Sequence, residues 1–171
     1  METALVSLIC VALIVFGGMT MSQGFMTSVD TSTAGLEDVR ERGEVLLRTE
    51  LSPVSANLTA SNTLEVVLQN TGQARLADFD KWDFIIQYYD DTGVYHSEWL
   101  PHTGGTLGDN EWEVTGIELN GATEIYDPNV LNQSESLLLK AQLNPVVGAN
   151  TTNMVVVATP DGITASIYFS Q

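Results

Sequence analysis

Hydropathy alone divides the chain in two. From Thr3 to Val29, 27 residues carry no charged side chain. Within them Leu5, Val6, Leu8, Ile9, Val11, Leu13, Ile14, Val15 and Phe16 cover every face of a helix rather than one stripe. A helix of this kind must be buried all round, in lipid or in protein. At 1.5 Å per residue it reaches about 40 Å, enough to cross a hydrocarbon core of about 30 Å. Past Asp30 charge returns, with Asp38 and Arg42, then Glu44 and Arg48, at i,i+4 spacing. The helix is therefore predicted to continue to about Gly35 or Gly43 as a solvated stalk.

From about Arg48 the period changes from helical to two. Leu64, Val66 and Leu68 alternate with Glu65, Val67 and Gln69; Leu137, Leu139, Ala141 and Leu143 form a second such run, and Ile163, Ala165, Ile167 and Phe169 a third. Trp82 to Tyr89, Val94 to Leu100 and Glu111 to Leu119 are further predicted strands. Turn chemistry separates them at Asn70-Thr71-Gly72, Asp90 to Gly93, Thr103 to Gly105, Asn120-Gly121 and Pro160-Asp161-Gly162. The last of these should join Met154–Thr159 and Ile163–Ser170 as a C-terminal hairpin. Seven or eight short strands suit a two-sheet sandwich. The expected fold class is α+β: a long N-terminal apolar α-helix followed by an all-β Ig-like sandwich. Residues 1–35 would be the apolar helix, 36–48 a stalk and 49–171 the sandwich.

Charge narrows the partners. Twenty-two acidic residues face six basic ones, for a net charge of −16, and no Lys or Arg precedes Arg40. Without a basic patch to release counterions, nucleic acid is excluded as a partner. A signal peptide would show a basic n-region and a small-residue cleavage site; Glu2 stands in place of the first and nothing like A-x-A supplies the second. The apolar segment is thus expected to be retained, with Met1 exposed by removal of a basic leader. Gly17, Gly18 and Gly24 are small residues that permit close helix approach.

The segment Leu64 to Asp90, with Asn70-Thr71-Gly72 followed by Leu76 to Ile85, resembles the outer β-domain of archaellins, filament subunits of the type IV pilin superfamily, and of related archaellum components. The resemblance covers the apolar helix and this strand, turn and strand, about a third of the chain. It implies that Leu5 to Phe25 form a filament core and the sandwich its outer sheath. It further implies a homopolymer, assembled by dedicated machinery after transient membrane insertion and located on the cell surface as an archaellum or a non-rotating type IV-like pilus, for motility or adhesion.

Candidate chemistry does not point to an enzyme, and no cofactor is expected. His96 and His102 make no metal-binding pair, Cys10 is the only cysteine, and no nucleophile elbow or phosphate loop is present. Asp78, Asp80 and Asp83, and Asp90 with Asp91, read as solvated acidic loops rather than a cation cage. Three sequons, at Asn57, Asn132 and Asn150, are candidates for N-glycosylation. The alternative function is a membrane-tethered sandwich of the archaellum-stator kind, contacting the surface layer.

Overall fold

The computed structural model describes residues 2–171, apart from the side chains of residues 2, 4, 34, 38, 41, 42 and 45. The expectations concerning Met1, the side chain of Glu2 and the Asp38–Arg42 spacing lie outside the described residues. The chain forms two compact units, Met1–Glu44 and Val45–Gln171.

Helix α1 runs from Glu2 to Arg48, 47 residues or about 70 Å. It passes through both Gly35 and Gly43, further than the sequence predicts. A lone glycine costs a helix only about 1 kcal/mol relative to alanine, and Leu36, Glu37, Arg40 and Glu44 around them are good helix formers. The hydroxyls of Thr20, Thr27, Thr31 and Thr33 donate to carbonyls of the preceding turn, so these polar groups need no outside partner.

In the second unit nine strands build two antiparallel sheets: β1 (Leu51–Ala60), β2 (Thr63–Asn70), β3 (Asp83–Tyr89), β4 (Tyr95–Leu100), β5 (Glu111–Leu119), β6 (Ala122–Thr123), β7 (Ser136–Gln142), β8 (Thr152–Ala158) and β9 (Thr164–Ser170). One sheet has the order β1-β2-β7-β5-β6, the other β4-β3-β8-β9. The period-two residues point inward as predicted. Leu64, Val66 and Leu68 on β2 pair with Ala141, Leu139 and Leu137 on β7, and all six are buried. Opposite them lie Phe84, Ile86 and Tyr88 of β3, with Val155 and Val157 of β8. Phe84 stacks on Trp112 of β5 with ring centroids 5.6 Å apart, linking the two sheets. Each such burial contributes about 1.5–3 kcal/mol.

The turns follow their residue chemistry. Asn120 (φ 53°) and Gly121 (φ 79°) both occupy the left-handed region that a two-residue hairpin between β5 and β6 requires. Strand β1 contains Pro53 and carries two register shifts, so its pattern does not alternate cleanly; it is tolerated because it lies at a sheet edge.

Candidate assembly surfaces

The side chains of Leu5, Val6, Leu8, Ile9, Val11, Leu13, Ile14, Val15, Phe16 and Phe25 are each between 49% and 73% exposed. They form an apolar surface all round an element long and apolar enough to cross a membrane. Cys10 lies exposed among them.

The last helical turn is anchored to the sandwich through Asn70-Thr71-Gly72. Asn70 is fully buried at the end of β2. Its Nδ2 donates to the carbonyls of Ala74 (2.8 Å) and Leu131 (3.1 Å), while its Oδ1 accepts from the Gly72 amide at 3.0 Å. The turn so formed aims four backbone amides at the end of α1. Gln73 and Ala74 donate to the Arg48 carbonyl, at 2.7 and 3.0 Å, and Thr71 and Gly72 to the Glu50 carbonyl, at 3.0 and 3.1 Å. The two bonds to Arg48 satisfy a carbonyl that the helix terminus leaves without a partner, and the two to Glu50 hold the residue that leads into β1. Gly72 is required by space: a Cβ there would collide with Glu50 N and Arg48 O. Sequence reasoning singled out this tripeptide as a turn but not as the seat of the helix end, since nothing local links residue 72 to residue 48.

The two outer sheet faces differ in charge. On the β2-β7-β5 side, Glu65, Lys140 and Glu113 stand in one cross-strand row, with Glu111 in the neighbouring row and Glu118 further along the same strand. Asn57 pairs with Glu65 and is exposed on this acidic face. The outer face of the other sheet presents a single carboxylate, Asp83, which accepts a bond from Trp99 Nε1 at 2.8 Å. The other two sequon asparagines lie in loops. Asn150 is exposed with φ 58°. Asn132 is half-buried; its Nδ2 faces the Glu135 carboxylate at 3.2 Å and its Oδ1 accepts from Arg75 Nε at 3.0 Å.

Two further acids, Asp78 and Asp90, have local partners. Asp78 binds Lys81 at 2.6 Å, and that bond raises the lysine pKa. Asp90, buried where β3 ends, accepts from the Thr92 hydroxyl at 2.7 Å and from the amides of Thr92 and Val94 at 2.8 Å. His96 Nε2 lies 2.9 Å from the Asp90 carboxylate and Nδ1 3.3 Å from Glu98, so the imidazolium can donate to both. The bond from His96, then that from Thr92, holds Asp90 well below the usual carboxylate range; Asp90 in turn raises the His96 pKa. Beside them burial pushes the Tyr88 hydroxyl up to about 12, with the charges of Glu98 and Asp90 adding to the effect. His102 sits edge-on to Trp112, 4.7 Å between centroids, away from the His96 group.

The chain is similar in fold to solved structures. The archaeal flagellum of Methanospirillum hungatei strain JF1 is similar over 96% of this chain and 90% of its own, with a TM-score of 0.59 at 10% identity. The fold is archaellin-like. Archaeal flagellin FlaB1 from Methanocaldococcus jannaschii shares it over 72% of this chain and 90% of its own (TM-score 0.52, 14% identity). So does the archaellum periplasmic stator protein FlaG from Sulfolobus acidocaldarius, over 71% of this chain and 99% of its own (TM-score 0.53, 20% identity). No protein-family model and no curated protein matches the chain. The archaellin-like fold thus occurs in both a filament and a stator protein.

Proposed function

We propose that the protein has a structural rather than an enzymatic role, as a subunit of an extracellular archaellum-type filament that polymerises through α1. The observation that carries this reading is the apolar surface covering α1 on all sides from Leu5 to Val29. Nothing in water stabilises such an element, and burying each Leu-sized side chain among other copies contributes about 1.5–3 kcal/mol. Before assembly the same helix would rest in the membrane, delivered to the growing filament by assembly machinery. The likeness to the M. hungatei flagellum over 96% of the chain supports this reading. The test is electron microscopy of cells carrying Leu13→Lys, with folding checked by circular dichroism. An unpaired ammonium at mid-helix costs about 3 kcal/mol or more per subunit, so filaments should be absent. Normal filaments from this variant would refute the proposal.

A second reading, a membrane-tethered stator component, is favoured by the similarity to FlaG, which spans 99% of that chain. In that case α1 stays in lipid, and Leu13→Lys would reduce membrane retention without any filament to lose.

A further inference from the structure

The outer face of the β4-β3-β8-β9 sheet is unusual for a chain of net charge −16. Tyr89, Tyr95, Trp99 and Tyr168 stand on it, from 44% to 70% exposed, around Ile85 and Val156, with Asp83 as its only carboxylate. Aromatic residues with few charges are the composition of interface cores. Four strands of six or seven residues make a face on the order of 400 Å². A stable pair of free molecules buries about 800 Å² on each partner. This face therefore serves where other contacts already hold copies side by side.

Charge and symmetry indicate what covers it. Two acidic outer faces in contact would repel at separations below a Debye length of about 8 Å, whereas this face lets a second acidic copy approach. In a head-to-tail polymer a surface meets a different surface of the next copy; meeting itself would close a dimer instead. The other prominent apolar projection of the sandwich is Ile125–Tyr126, after β6, exposed to 74% and 88%. Glu124 and Asp127 flank it. Glu124 already accepts from the Tyr126 amide at 2.6 Å and Asp127 from Arg75 at 3.0 Å, so their charge favours a face with almost no carboxylates, where tyrosine hydroxyls can donate to the remaining lone pairs.

We propose that this aromatic face receives the Ile125–Tyr126 projection of a neighbouring copy. The contact rests on the homopolymer reading and adds the surface through which sandwiches meet. It is tested in the full chain, in cells, with a photo-crosslinking amino acid at position 125. Light and heavy isotopic forms are mixed so that mass spectrometry separates contacts between copies from those within one. The expected product joins residue 125 of one copy to the peptide bearing Trp99 or Tyr168 of another. Ser97→Glu, an exposed change on edge strand β4, should lower its yield roughly tenfold or more, because a carboxylate would be desolvated without a partner. Thermal unfolding should be unchanged by that substitution. Filaments without this crosslink, crosslinks elsewhere on the second copy, or crosslinks only to another protein would each overturn the inference. The specific crosslink in cells without filaments would uphold the contact and overturn the filament reading alone. The absence of both the crosslink and filaments would overturn both.

Discussion

Replacing Gly72 by alanine tests whether the Asn70-Thr71-Gly72 turn holds the end of α1. The added Cβ would meet Glu50 N and Arg48 O and lie 3.0 Å from Thr49 C. All three are backbone atoms, which cannot swing aside as a flexible side chain could. Either the turn or the segment 48–50 must move, and the four amide bonds to the Arg48 and Glu50 carbonyls cannot all survive. Losing two of them at about 1 kcal/mol each, with about 1–3 kcal/mol for overpacking, gives a destabilisation of roughly 3–5 kcal/mol. That is a large share of the roughly 5–15 kcal/mol that holds a typical domain folded. The assay is denaturant unfolding of the full chain in detergent, followed by tryptophan fluorescence, for which the buried Trp82 and Trp112 are reporters. Gly104→Ala is the control, since a Cβ there meets nothing within 4 Å. If Gly72→Ala unfolds within about 0.5 kcal/mol of the parent, the size of a neutral surface change, the account of this turn is wrong.

Three further outcomes are expected. Asn70→Ala leaves the carbonyls of Ala74 and Leu131 and the Gly72 amide without their side-chain partner, and should cost about 2–4 kcal/mol in the same assay. The Asp90–His96 pair should make stability depend on pH at both ends. His96 has a raised pKa, so its contribution is full below 6.5 and is lost as pH rises through the higher folded value. Asp90 has a lowered pKa, so its contribution is full above 3.8 and is lost as pH falls through the lower folded value. The difference in denaturation midpoint between the parent and His96→Gln should therefore be greatest between those limits; a difference that is flat from acid to alkaline pH would contradict the pairing. Peptide mapping of native material should find glycans at Asn57 and Asn150 ahead of Asn132, whose amide nitrogen is engaged with Glu135; occupancy of Asn132 alone would contradict that order.

Much of this protein was legible in its sequence, because the signals are local. An uncharged apolar run from Thr3 to Val29 reads as a helix needing burial on every side, whatever surrounds it. Period-two alternation at Leu64–Leu68, Leu137–Leu143 and Ile163–Phe169 reads as strands with one face inward, and Asn-Gly and Pro-Asp-Gly mark turns by their backbone preferences alone. What depends on pairing across the chain was not legible. Strand β1 escaped notice because Pro53 and two bulges blur its period, and only an edge position makes them tolerable. The sequence shows Asn70-Thr71-Gly72 as a turn, but its grip on Arg48 and Glu50 joins positions more than twenty residues apart. The same holds for charge. Twenty-two acidic residues can be counted along the chain. That Glu65, Glu111, Glu113 and Glu118 gather on one sheet while Tyr89, Tyr95, Tyr168 and Trp99 line the other follows only once each strand has been assigned to its sheet and register. Those assignments are made by long-range burial, which pairs β2 with β7 and β3 with β8, and no short stretch of sequence encodes them.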